Sequence, residues 1–433
     1  MLIKTNTDSK KFQAIALLGI CLLTVCAFLP TFWNGFQMEW DDFWMVMNPL
    51  TKGHLDFDLV KSIFTTPFHG QWGPINQLAY TTIYSLARYS SWAYHIYSLA
   101  LHLANICLVS VIIKVIFTDC SNLSVTCVRR ICIITTALFA IHPLQVETVA
   151  WISASKILLS SFFYLTAVYM LLLFFRNRSK WFYFATLILY ACSYLSKENV
   201  LMFPLLTMML SVMYKSTVWS RRFWIINTPI FILTIIFGLH LVSHVSGYSA
   251  VVHMETFNIG QRIILCSYTL IMYIYKWLFP IGLNWMYLSP TQPGGALPYW
   301  MAFCPMLLAL TGIALWDWIK KSIIAFSLIF FILHLLFVIH LLFLPRSAII
   351  AERYMYLPII GLNVIFSYSI SLFMNSKKGK FACKTGLTII LFSYFFLSFY
   401  RTGQWHDSKT LRENDIYTPA TNEPDISTVN NIL

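Results

Sequence analysis

The charged side chains suited to group-transfer chemistry sit in four short segments, separated by long apolar runs. The first holds Glu39-Trp40-Asp41-Asp42, then Asn48-Pro49 and Gln71-Trp72-Gly73-Pro74-Ile75-Asn76. Aspartates beside a membrane helix are costly near lipid and face water or a polar cavity, where a carboxylate can take a proton from a hydroxyl. The second segment, Ile141-His142-Pro143, leads to Glu147, Trp151 and Lys156. The third is Ser196-Lys197-Glu198-Asn199, and the fourth runs from Pro345-Arg346 to Glu352-Arg353-Tyr354-Met355-Tyr356-Leu357-Pro358. An arginine fork matches phosphate oxygens in pairs, and a lysine adds a point charge.

Each segment also suits a plainer role. Asp41 and Asp42 fit a solvated loop, His142 a helix-end cap, Lys197 and Glu198 a surface pair of little worth, and the tyrosines an interfacial belt. His102 and Asn105 share a helix face at i, i+3 spacing and read with His95 as interhelical hydrogen-bond partners. The chain shows no phosphate-cradling glycine loop, Ser-His-Asp order or zinc spacing. Nothing demands a metal, although paired Asp41 and Asp42 leave room for a divalent ion.

The elements that must position these groups follow from composition. Of 433 residues, 58% are hydrophobic and only 11% charged, against about 25% charged in soluble domains. A water-soluble enzyme and a disordered chain are both excluded. Twelve apolar stretches lie near 12–33, 92–117, 131–149, 157–175, 181–195, 200–214, 223–243, 262–279, 299–316, 323–344, 355–374 and 384–400. The net charge of +13 is spread as basic clusters between them, which is the positive-inside pattern rather than a nucleic-acid face.

With all twelve stretches crossing, Lys320-Lys321 and the cluster Lys377, Lys378, Lys380, Lys384 face outward, against that pattern. Treating 262–279, with Arg262 and Lys276, as re-entrant or interfacial removes the conflict. The expectation is an all-α polytopic membrane protein of about 11 crossings with a cytoplasmic N-terminus and an extracytoplasmic C-terminus. Nearly all carboxylates then lie on the outer face, the long first loop spans 34–91, and the ten cysteines read as packing residues.

The order of the motifs resembles the membrane half of the transmembrane and tetratricopeptide-repeat O-mannosyltransferases, members of the GT-C glycosyltransferases alongside the protein O-mannosyltransferases. Carrying the resemblance are Trp40-Asp41-Asp42 with Asn48-Pro49, Trp72-Gly73-Pro74, His102 with Asn105, His142-Pro143 with Glu147 and Trp151, Lys197-Glu198, and Glu352-Arg353-Tyr354 through Gly361. It covers roughly 30–411, so 1–400 reads as a GT-C membrane domain and 401–433 as an outer tail with a short helix capped by Asp407 or Ser408. The chain departs from the pattern at Ser155-Lys156-Ile157, where relatives commonly carry Arg-Lys-Asp, and in having no 34-residue repeat after Leu411.

The resemblance implies a polyprenyl-phosphate sugar donor and transfer of a sugar, mannose by kinship, to a Ser or Thr hydroxyl of a protein on the extracytoplasmic face; no cofactor is demanded, and a divalent metal is left open. Asp41, or else Asp42, is expected as catalytic base. Arg353, Lys197 and Lys156 are expected on the donor phosphate. Glu198 and Glu352 are expected to orient these cations or contact sugar hydroxyls, Glu147 to bind sugar, to orient, or to hold the Asp41 loop through His142, and Trp72 and Tyr354 to contact sugar or acceptor. Partners are then the lipid-linked donor, a protein or glycan acceptor and membrane lipid, without nucleic acid. The missing repeats and the lack of outer cysteines point to a bacterial inner membrane, with the site facing the periplasm. Two other readings stand beside this one: a lipid-linked sugar ligase acting on a glycan or glycolipid, and a transporter or flippase, which requires midplane charges and internal repeats.

Overall fold

The computed structural model describes residues 2–67, 71–214, 218, 220–248, 257–288, 296–319, 322–340 and 348–414. Lys320-Lys321, Pro345-Arg346 and the tail beyond 414 lie outside the described residues. Each of the twelve apolar stretches carries a helix. They are α1 (Leu2–Ala27), α2 (Ser91–Cys120), α3 (Val125–Ile141), α4 (Ser155–Asn177), α5 (Lys180–Ser196), α6 (Phe203–Met213), α7 (Arg221–Tyr248), α8 (Ile259–Leu278), α9 (Phe303–Ala314), α10 (Ser322–Leu335), α11 (Ile359–Phe373) and α12 (Lys377–Gln404).

Four helices among the described residues are long and apolar enough to cross a membrane: α2, the run Ile152–Asn177 containing α4, Arg221–Ser243 of α7, and α12. A fifth results if α3 and Pro143–Ala150 form one broken span bent by 53°. The bend has a local cause. Proline at 143 disfavours helical backbone in the residue before it, and His142 is extended at φ −65°, ψ 133°. Several other apolar helices are shorter, as in Glu198–Met213, Ile323–Leu335 and Ile359–Phe373. A 3-10 turn precedes α6 at Glu198–Val200 and α11 at Glu352–Met355. Those turns carry charged residues of the third and fourth segments, so the helices stop where the polar groups begin.

The segment between α1 and α2 is itself largely helical, with short helices at Asp42–Met45, Pro49–Lys52, Phe57–Thr65 and Pro74–Ala87. Asn48 and Asp56 cap the second and third by accepting from the backbone N–H of Thr51 and Leu59. A two-residue strand β1 (Tyr287–Leu288) pairs antiparallel with β2 (Ala348–Ile350), tying the segment after α8 to the one before α11.

Helices α4 and α5 pack along their length. Small hydroxyl residues let their backbones approach: Ser160 Oγ donates to Ser193 O at 3.1 Å, and Ser193 Oγ to Ser160 O at 2.7 Å. Deeper in the bundle, Tyr356 Oη sits 2.9 Å from His102 Nδ1 and 3.0 Å from Asn105 Nδ2, joining α2 to the start of α11. The outward faces are apolar. Exposed Ile232, Ile235, Ile236 and Leu239 line α7, and Ile389, Phe392 and Phe396 line α12, as lipid-facing surfaces require.

Helices α10 and α11 meet at Gly361, where an added Cβ would collide with the carbonyl oxygen of Ser327 and lie 3.1 Å from Phe331 N. Neither atom belongs to a flexible side chain. Gly361→Ala should therefore destabilise the purified protein by about 1–3 kcal/mol through overpacking. Gly386→Ala, where nothing lies within 4 Å, serves as control. Equal thermal midpoints for the two variants in one detergent would show that α10 and α11 do not approach as described.

Candidate functional site

The site begins with the turn Asp42–Met45. Successive residues of a helical turn point about 100° apart, so Asp41 and Asp42 diverge. The Asp42 side chain is fully buried. Its Oδ1 accepts from Ser153 N at 2.9 Å and from Ser153 Oγ, while its Oδ2 accepts from Gln37 N at 2.7 Å. Protein donors therefore occupy both oxygens. Tyr80 reinforces the same junction, its hydroxyl donating to Ile152 O and lying 2.9 Å from Ser155 Oγ.

The C-terminal end of α12 and the segment after it hold the other side of the loop. Asn34 Nδ2 donates to Thr402 O at 2.9 Å, Gly35 N to His406 O at 2.7 Å, and Gln37 Nε2 to Trp405 O at 2.7 Å. Glu39 N donates to Ser408 Oγ at 3.2 Å, and the Glu39 carboxylate pairs with Arg412. The expected short helix is Ser408–Glu413, with Asp407 Oδ1 accepting from Thr410 N at 2.8 Å. The expected boundary at 400 cuts α12, which continues to Gln404.

Asp41 is half-buried and opens onto a cavity of about 150 Å³, shared with Arg353 and with Trp40, Trp151, Trp285 and Trp405. Its carboxylate accepts no hydrogen bond among the described residues. Arg353 is held from behind. Its backbone N donates to Glu147 Oε2 at 2.7 Å, and its Nη1 pairs with Glu147 Oε1. The guanidinium carbon lies 5.3 Å from the Trp151 ring centre and 5.0 Å from that of Tyr354. Glu147 is wholly inaccessible while the Arg353 side chain keeps 24% exposure. Among the described residues, the Nε and Nη2 donors of Arg353 make no hydrogen bond.

Lys156, one turn beyond Ser153, donates from Nζ to Gln71 Oε1 at 2.8 Å. It lies within electrostatic reach of Lys197, Asp41, Glu198 and Arg353. Lys156, Glu198 and Trp72 line a second cavity of about 50 Å³. Lys197 is 3.7 Å from Glu198, its side chain mostly buried at 12% exposure. Asp41, Arg353, Lys156, Lys197 and Glu198 thus gather from four sequence segments.

Other expected site residues lie elsewhere. Asp42 is sealed from the cavity by its own hydrogen bonds. Glu147 is too buried to touch a sugar; among the described residues its carboxylate orients Arg353, the cation of the cavity. Glu352 does not orient Arg353 or a lysine; it pairs with Arg401 at 2.9 Å and accepts from Tyr287 Oη at 2.8 Å. Neighbours in a 3-10 turn point apart, so Glu352 and Arg353 find different partners. His142 faces the helices, its Nε2 3.1 Å from Trp277 O and its Nδ1 accepting from Leu144 N at 3.2 Å. Pro345-Arg346 lies outside the described residues. Among the described residues no three His, Cys, Asp or Glu side chains are grouped to hold a metal ion.

Four contributors had gone unrecognised in the sequence: Ser153, Gln37, Trp285 and Arg401. Trp285 packs on Trp40 with ring centres 3.7 Å apart, from a loop with no period to mark it. Trp405, in the Gly-Gln-Trp of the tail, stacks on Trp151 at 5.8 Å. No protein-family model matches the chain, and no curated protein matches it in sequence.

Burial pushes the Asp42 carboxyl up to about 6, against the pull of its hydrogen bonds from Ser153 and Gln37. A raised carboxyl favours the protonated fold, so this contribution is full below the ordinary carboxylate range and is lost as pH rises through about 6. Acidifying from pH 7 to pH 5 should raise the unfolding midpoint, within a ceiling of about 3 kcal/mol. Asp42→Asn should remove that increment. A pH profile unchanged by the substitution would assign the titration to another group.

Proposed function

We propose that the chain is a GT-C inverting glycosyltransferase with about eleven membrane crossings, a cytoplasmic N-terminus and an extracytoplasmic C-terminus. It moves a sugar, mannose on the resemblance, from a polyprenyl-phosphate donor to an acceptor hydroxyl at the outer face. The resemblance makes that hydroxyl a serine or threonine of a protein, and the membrane a bacterial inner membrane with the site facing the periplasm. One observation carries the reading: Asp41, a carboxylate without a hydrogen bond among the described residues, shares a cavity with an arginine that a buried acid holds in place.

In this reading Asp41 is the base. The acceptor hydroxyl gives its proton to the carboxylate as its oxygen bonds to the anomeric carbon. The bond from that carbon to the phosphate oxygen breaks, and the electron pair leaves with the polyprenyl phosphate. A single displacement inverts the anomeric configuration through an oxocarbenium-like transition state, as in glycoside chemistry. Charge develops on the leaving phosphate, and fixed cations in a partly dehydrated site stabilise it. Arg353 offers Nε and Nη2, its Nη1 and backbone N being committed to Glu147. Lys156 and Lys197 add positive charge beside it, with Glu198 orienting Lys197. Trp72 and Tyr354 supply aromatic walls. The step needs no metal, and the prenyl chain lies between helices.

Asp41→Asn should lower transfer from a synthetic polyprenyl-phosphate sugar by about 10²–10⁴-fold, with donor binding and thermal stability kept. Transfer unchanged in Asp41→Asn would remove Asp41 as the base. Arg353→Ala should weaken donor binding by roughly ten-fold or more, as expected on losing a charge-assisted phosphate contact. Direct titration in nanodiscs measures this, and an unaltered donor affinity would move the phosphate away from Arg353.

A further inference from the structure

Lys276 is a buried cation that the transfer reaction leaves unused. It sits in the last turn of α8 and is 4% exposed. Its Nζ donates to Ile281 O at 2.9 Å and to Gly282 O at 2.8 Å, with the Tyr287 ring centre 5.5 Å away. A lysine at a helix end commonly bonds the last carbonyls of its own helix. Here both acceptors lie beyond Leu278, where α8 stops, so the ammonium holds the loop that follows. Gly282, at φ 56°, supplies the left-handed backbone of that loop.

Two more side chains meet the same loop. Arg401 of α12 donates from Nη1 to Leu283 O at 2.9 Å. Tyr287 Oη accepts from Asn284 N at 2.9 Å and donates to Glu352 Oε1 at 2.8 Å. Pairing of Tyr287 with Ile350 across β1 and β2 fixes the far end. The backbone of each residue from Ile281 to Asn284 is thus hydrogen-bonded to Lys276, Arg401 or Tyr287. Next come Trp285, whose ring packs on Trp40, and Met286, and both line the cavity that holds Asp41 and Arg353. Burying an ammonium costs more than burying an apolar side chain of similar volume, so packing alone does not account for Lys276. Arg353 is held separately, by Glu147, Trp151 and Tyr354.

We propose that Lys276, with Arg401 and Tyr287, is a positioning residue: it sets the Trp285–Met286 wall against Trp40, and that wall seats the acceptor beside Asp41. The proposal rests on the transferase reading and deepens it on the acceptor side. The acceptor arm fails without Lys276 while the donor arm, built on Arg353, keeps its hold on the phosphate.

The test uses the full chain in nanodiscs. Lys276→Met keeps a long side chain and removes the ammonium. Tyr287→Phe removes one hydroxyl from the same loop, and serves as the milder variant should Lys276→Met not fold. Hydrogen-exchange mass spectrometry follows residues 279–288, titration measures affinity for a synthetic polyprenyl-phosphate sugar, and transfer is assayed at saturating donor with a short serine- and threonine-containing peptide. In each variant exchange over 279–288 should quicken by roughly five-fold or more, the worth of one hydrogen bond, with the rest of the chain unchanged. Transfer should fall by roughly ten- to a hundred-fold, as for a displaced reactant, with donor affinity kept. Exchange over 279–288 equal in wild type and both variants overturns the positioning role without relying on activity. Quickened exchange with donor affinity and transfer lost together overturns the assignment of the wall to the acceptor. Quickened exchange confined to 279–288, with no donor consumed by the wild type, keeps Lys276 as the support of the loop and sinks the transferase reading.

Discussion

The three hydrogen bonds that Ser153 and Gln37 give to the buried Asp42 carboxylate govern how the loop after α1 is arranged. They fasten the loop between α1 and α2 to the turn that opens α4. Once Asp42 is turned inward, the geometry of a helical turn leaves Asp41 pointing elsewhere, toward the tryptophans and Arg353. A buried carboxylate needs such donors, because an unsatisfied one is heavily penalised in a low-dielectric interior. Adjacent acids of identical chemistry thereby acquire separate tasks, one holding the loop and the other facing the cavity.

The two buried ion pairs extend this arrangement. Glu147, in the bent continuation of α3, fixes Arg353, and Glu352 fixes Arg401 at the C-terminal end of α12. Buried pairs contribute little net stability once desolvation is counted, but removing one partner strands a charge. Their value here lies in register. Consecutive residues 352 and 353 reach opposite ways, so the turn before α11 is held against α3 on one side and α12 on the other.

Much of this was legible along the chain. Each of the twelve apolar stretches is a helix, the proline at 143 marks a break, and His102 with Asn105 reaches across the bundle to Tyr356, as their spacing predicts. Hydropathy reads such features because they are local. It does not read partnership. Nothing in the sequence distinguishes Glu147 from Glu352 as the acid on Arg353, for adjacency favours Glu352 and folding selects the residue 206 positions away. Trp285 and Trp405 carry no periodic signal, since loops set their positions. Helix lengths were overestimated where apolar residues run on into 3-10 turns, as before α6 and α11.

The clasp between residues 34–39 and 402–412 joins parts of the chain that leave the ribosome far apart in time. Domains form from the N-terminus onward during synthesis, yet this loop lacks half its anchors until the final long helix has been inserted. The contacts that hold residues 34–39 from this side therefore form last. A chain arrested before α12 would keep the bonds from Ser153 and Gln37 to Asp42 yet hold residues 34–39 from one side only, and quality control would meet a bundle whose last clasp is still open.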